Sequence, residues 1–217
     1  MDQIIAKPNQ WEIFNSSLRL EVIRPNGTFT CSAVAIDKQT LLTAAHCLDG
    51  TINKISAFNF PQNQLFEIDH FEIHPKYNKK VSHYLHDIAV ITLKTALPAD
   101  IQTYPIYSDL NFIGDYYRLG FGERNHNNNR TIANPNFRYF SERDQVVELN
   151  DQFSKSGDSG GPVFIMKDKS IYLLAIHSTF STGPQGEFSY NPLVSKYLDW
   201  INSKTRKNTH DQEHLSH

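Results

Sequence analysis

Three short segments bring a base, a carboxylate and a nucleophile into one chain: Thr43-Ala44-Ala45-His46-Cys47, His86-Asp87-Ile88-Ala89-Val90-Ile91 and Gly157-Asp158-Ser159-Gly160-Gly161-Pro162. A serine hydroxyl is a poor nucleophile at neutral pH. It needs an imidazole to accept its proton, and the imidazole needs a buried carboxylate to fix its tautomer and stabilise its charge. His46, Asp87 and Ser159 are the residue types for those tasks. Glycines around Ser159 let backbone amides approach a developing oxyanion. The N–H groups of Gly157 and Ser159 are the candidate donors, and losing one such donor typically lowers turnover by about 10²–10³. Taken singly, a serine in a Gly-rich turn is usually just a turn, and a buried histidine is usually a satisfied core residue. The ordered set of three carries the catalytic reading.

These residues must be held by a scaffold, and the chain has the composition to build one. It has 217 residues, 39% of them hydrophobic and 12% aromatic, enough for a sizeable core in one all-β domain. Lys+Arg of 21 against Asp+Glu of 23 gives a formal charge of −2, which argues against a nucleic-acid surface. The longest apolar stretches, Ile88 to Leu93 and Ile171 to Ile176, fall far short of the about 20 residues that span a bilayer.

Leu18, Leu20 and Val22 alternate with Arg19 and Glu21 and run into Pro25-Asn26-Gly27, a hairpin signal. A second strand, Thr28 to Ile36, turns through Asp37-Lys38-Gln39 into Leu41 to Ala45, which delivers His46 at a strand end. Phe66/Ile68, Phe71/Ile73, Ile88 to Leu93, Tyr116 to Gly122, Gln145 to Leu149, Pro162 to Met166 and Ile171 to Ile176 are further strand-length runs. Many short strands predict a sandwich or barrels. Val194, Tyr197, Leu198 and Ile201 have helical spacing, with Asn191 as a candidate cap and Pro192 at the first helical position. Residues beyond Ser203 predict a solvated tail, and Asn125 to Asn136 a mobile loop.

Cys31 and Cys47 are 47−31 = 16 positions apart. They fit either a disulfide closing a short loop or two buried thiols. Met1 to Pro8 lacks the basic and apolar regions of a secretory signal, so the chain is either cytosolic or trimmed.

The three chemical segments resemble those of chymotrypsin-like (trypsin-fold) serine endopeptidases, over roughly Ile4 to Ile201. His74-Pro75-Lys76-Tyr77-Asn78, Leu119-Gly120-Phe121-Gly122 and Val194 to Ile201 are similar to further family segments in the right order. The resemblance implies an all-β fold of two packed antiparallel six-stranded β-barrels, about 4–108 and 112–190, with a C-terminal α-helix near 192–203. It also implies a tail from 204 onward. His46 becomes the general base, Asp87 the orienting carboxylate and Ser159 the nucleophile. Cys31 and Cys47 become the family's disulfide beside the catalytic histidine, which places the protein in a secreted or periplasmic setting. No cysteines match the family's other common disulfides, as in bacterial members.

A buried carboxylate at Asp158 needs a cation, or it costs several kcal/mol. In the resembled family that cation is an amino terminus freed by cleavage before an Ile-Ile or Ile-Val pair, which here points to Ile4. Lys155 is an alternative cation, and Ala6 and Lys7 depart from the family's glycines. By the same resemblance Phe153, six residues before the nucleophile, forms the base of the primary pocket. That argues against preference for Lys or Arg. Ser154 and Ser156 would offer hydroxyls, and Ala175-Ile176-His177-Ser178-Thr179 would form the pocket wall. His177 paired with Ser154 resembles the glutamate-specific branch, where imidazole and hydroxyl would read a carboxylate. The alternative is a packed His177, leaving Phe153 and Phe180 to shape an apolar or narrow pocket.

His70/His74 and His83/His86 have spacings that suit a metal on a helix, yet His70 lies in a strand pattern and His74 precedes Pro75. The expected chemistry needs no cofactor. The expected partners are a protein or peptide substrate, an activating protease and a protein inhibitor, acting on a monomer. The competing function class is a protease-fold protein that binds without cleaving.

Overall fold

The computed structural model describes residues 14–122 and 130–205. Ile4 lies outside them, as do residues 125–129 of the expected loop and 206–217 of the expected tail.

The first half is a closed barrel. Its strands are β1 (Ser17–Arg24), β2 (Gly27–Ala35), β3 (Thr40–Thr43), β4 (Lys54–Phe58), β5 (Leu65–Ile73) and β6 (Ala89–Leu93), in the order β1-β2-β3-β6-β5-β4, with β4 closing onto β1. The Pro25-Asn26-Gly27 signal forms the expected hairpin, with Arg24 opposite Gly27. The runs Phe66/Ile68 and Phe71/Ile73 belong to one strand. The register against β6 shifts between Ile68 and His70, and this bulge resets the alternation.

The second half is built from two four-stranded antiparallel sheets. One contains β7 (Asp115–Gly120), β8 (Thr131–Ala133), β11 (Pro162–Lys167) and β12 (Ser170–Ile176). The other contains β9 (Asn136–Ser141), β10 (Val146–Asn150), β13 (Thr179–Gly183) and β14 (Gly186–Pro192). Strand β8 occupies part of the stretch expected to be loop. The C-terminal helix starts later than its periodicity suggests: β14 runs through Pro192, a 3₁₀ turn covers Val194–Tyr197, and the α-helix covers Leu198–Thr205. Among the described residues no helix is long and apolar enough to cross a membrane.

Strands β3 and β6 bury both faces. Leu41 and Ile91 enter the barrel core with Leu18, Leu20 and Phe66. Their neighbours Leu42 and Val90 instead join Val34, Leu119, Phe164, Ile176, Tyr197 and Ile201 in a cluster that joins the halves. That double burial explains why β6 and its lead-in read as a continuous apolar run instead of an alternating one. Phe164 is fully buried at this junction and stacks 5.2 Å from Phe14. Phe164→Ala is expected to cost about 3–5 kcal/mol in urea unfolding. Val81→Ala, at a residue 75% exposed, should change stability by less than about 0.5 kcal/mol.

Candidate active site

Strand β3 ends at Thr43, and a single helical turn, α1 (Ala45–Leu48), follows at once and holds His46. Asp87 enters just before β6, fully buried. Its Oδ1 accepts the His46 backbone N–H at 2.8 Å, and its Oδ2 lies 2.7 Å from His46 Nδ1. A carboxylate only accepts, so the ring proton sits on Nδ1 and the Nε2 lone pair is left to act as base. The preceding His86 adopts φ +57°, uncommon for a residue with a Cβ.

Ser178 joins the Asp87 carboxylate to Ser159. Its hydroxyl donates to Asp87 Oδ2, while its carbonyl accepts the Ser159 hydroxyl at 3.2 Å. Ser178, expected as a substrate-binding residue, therefore has its hydroxyl on Asp87, and it is fully buried. The hydroxyl of Ser159 is parked on a carbonyl in this state; catalytic hydrogen bonds commonly tighten only when substrate is present.

The loop that carries Ser159 is pinned to the first barrel through Ser32 on β2. Ser32 N–H donates to the Ser159 carbonyl at 2.7 Å, and Ser32 Oγ donates to the Gly157 carbonyl at 2.9 Å. Gly160, at φ +84°, permits this approach: a Cβ there would lie 2.2 Å from the Ser32 carbonyl oxygen. Among the described residues the Gly157 and Ser159 N–H groups have no acceptor within the chain, as oxyanion donors require.

Asp158, between those two donors, is fully buried. It accepts N–H bonds from Gly122 at 2.8 Å and Lys155 at 2.9 Å. Arg118 Nη1 lies 2.9 Å from its Oδ2. The same fully buried guanidinium donates from Nη2 to Asp151 Oδ1 at 3.1 Å and from Nε to Asp151 Oδ2. Burial alone would lower the Arg118 pKa, but the two carboxylates raise it. Burial likewise pushes Asp151 up, and Arg118 overrides this to hold it below the usual carboxylate range. Sequence reasoning missed this cation. Lys155 supplies a backbone N–H to Asp158, whereas Arg118 brings the charge; its signal was an arginine inside the otherwise apolar and aromatic run Tyr116 to Gly122.

In the pocket region, His177 is fully buried and its ring lies between two partners. The Asn191 side-chain amide donates to the Val147 carbonyl and to Ser189 Oγ, so its Oδ1 accepts from His177 Nδ1 at 3.1 Å. His177 Nε2 then accepts the Ser154 hydroxyl at 2.8 Å. Burial, followed by the Arg118 charge, lowers the His177 pKa to about 4. Asn191 is thus no helix cap but a buried member of β14 that fixes this tautomer. Phe153 and Thr179 are half-buried, Ser156 and Phe180 exposed.

Cys31 and Cys47 form a disulfide, with Cα atoms 6.3 Å apart. Together with His46 their sulfurs have the spacing of a metal set, but disulfide sulfurs are not thiolate ligands. His74 stacks on His86 at 5.1 Å, while His70 turns to Asp69 at 2.8 Å.

Residues 6–201 match the model of the trypsin family. The chain belongs to the trypsin family. Chymase from Rattus norvegicus is 27% identical, covering 87% of this chain and 85% of that protein. The CLIP domain-containing serine protease C9 of Anopheles gambiae is 28% identical, over 83% of this chain and 62% of that protein. Tissue-type plasminogen activator of Bos taurus is 25% identical, over 94% of this chain and 43% of that protein. This trypsin-family protein is therefore a serine protease, a peptidase hydrolase. Its matched relatives are mammalian and insect, so they lend no support to the bacterial-type expectation.

His177 and His74 both have pKa values lowered from 6.5 to about 4. Groups depressed in the folded state stabilise it above the unfolded pKa and lose that contribution as pH falls. The unfolding midpoint is expected to drop between pH 6.5 and 4, with a shallower drop in His177→Gln, measured by urea titration across that range.

Proposed function

We propose that this trypsin-family protease is a serine endopeptidase working through an acyl-enzyme. His46 Nε2 takes the Ser159 proton as Oγ bonds to the scissile carbonyl carbon, whose electron pair moves onto oxygen facing the Gly157 and Ser159 amides. The proton passes to the departing amine, and water repeats the sequence to release the acid. Asp87 orients the ring throughout. The observation that carries this reading is the double hydrogen bond from His46 to a fully buried Asp87, which leaves Nε2 as the base.

Three features support a primary pocket for uncharged side chains. Phe153 lies at the position expected for its base, the Asp151 carboxylate is committed to Arg118, and the His177 ring is neutral. The Glu-preferring alternative draws on the His177–Ser154 hydrogen bond. It requires the ring to gain a proton and the Ser154 hydroxyl to turn toward substrate. The disulfide fits an oxidising, secreted or periplasmic setting. Protein or peptide substrates follow from the chemistry.

Mass spectrometry of cleavage sites in a complex peptide mixture tests both levels. Cuts after aromatic or other uncharged residues, with turnover reduced by about 10⁶ in Ser159→Ala, are the expected result. Cuts after Glu that His177→Ala abolishes would transfer the pocket to the alternative, and an absence of cuts would remove the endopeptidase reading.

A further inference from the structure

We infer that Arg118 is the positioning residue of the oxyanion loop, tying it from inside the fold to the segment that floors the primary pocket. The inference rests on the endopeptidase reading above. Asp158 stands between the two amide donors in the chain, so wherever its carboxylate is held, the Gly157 and Ser159 N–H groups are aimed. That carboxylate has lost its water entirely and needs positive charge nearby. Arg118 supplies it from the interior of a sheet, where its backbone pairs with Val163 on one side and Ala133 on the other. Its planar fork divides its contacts: Nη1 faces Asp158, while Nε and Nη2 hold Asp151, two residues before Phe153. Room for this clamp is built into β7 and its exit. A Cβ on Gly120 would lie 2.2 Å from Asp158 Oδ1, and one on Gly122 2.7 Å. A lysine keeps the charge but cannot span both carboxylates in the same geometry.

The competing arrangement is an amino terminus freed at Ile4 acting as the operative cation. The test compares wild type and Arg118→Lys, each intact and cut before Ile4. It reads kcat, KM, affinity for a peptide boronic acid, and deuterium exchange over residues 153–161. The boronate's tetrahedral adduct on Ser159 reports the oxyanion donors. We expect the Lys variant to fold and to lose about 10²-fold in kcat in both forms, with KM changed less than about threefold. Boronate affinity should fall with kcat/KM. Exchange should quicken over 153–161 and stay unchanged over 44–48.

Restoration of wild-type kcat by cutting before Ile4 would overturn the inference, as would unchanged kcat and exchange in a folded Lys variant. Should that variant not fold, Asp158→Asn with Arg118 retained reads the pair from the other side, and wild-type kcat there is equally fatal. If wild type shows no turnover while exchange still responds to Arg118→Lys, the clamp stands and the endopeptidase reading fails.

Discussion

The structure depends on keeping one carboxylate out of water. A buried carboxylate costs several kcal/mol unless donors replace its hydration. Asp87 finds its donors in the His46 backbone, the His46 ring and the Ser178 hydroxyl. Those donors come from the turn after β3 and from the link between β12 and β13, in different halves of the molecule. These bonds to Asp87 therefore exist only while the halves are packed, and the cluster around Leu42, Val90, Phe164 and Ile176 maintains that packing. Folding energy and the geometry of the candidate site meet at this seam.

The same rule governs the layer behind Ser159. Asp158 and Asp151 are buried on either side of one guanidinium, and the imidazole of His177 nearby stays neutral between Asn191 and Ser154. Each of these four buried side chains has a specific partner, which fixes the positions of residues 151–159. Ser32 extends this order across the seam, since one residue of the first barrel bonds both Ser159 and Gly157 carbonyls.

Much of this was legible in the sequence because local pattern and local chemistry coincided there. His46, Asp87 and Ser159 sit in short contiguous motifs, the first hairpin carries its own turn signal, and β6, β11 and β12 are dense in apolar residues. Strands β9 and β13 are hard to read because most of their residues face water. The roles of Arg118, Ser32 and Asn191 were hidden for a different reason. Each is defined by a partner far away in the chain, Ser32 and Gly157 being 125 positions apart. Asn191 looked like a cap because an Asn-Pro pair ahead of helical spacing carries that signal, yet its amide was recruited by β10. The sequence places Ser178 at the pocket wall, and only the fold shows its hydroxyl on Asp87.

The most direct measurement is reaction with a fluorophosphonate, read by intact mass and by mapping of the modified peptide. An activated hydroxyl should yield a single adduct on Ser159, formed far more slowly in Asp87→Asn, where the ring loses its enforced tautomer. No adduct on a folded chain, or labelling of Ser159 at the same rate in both proteins, would contradict the account.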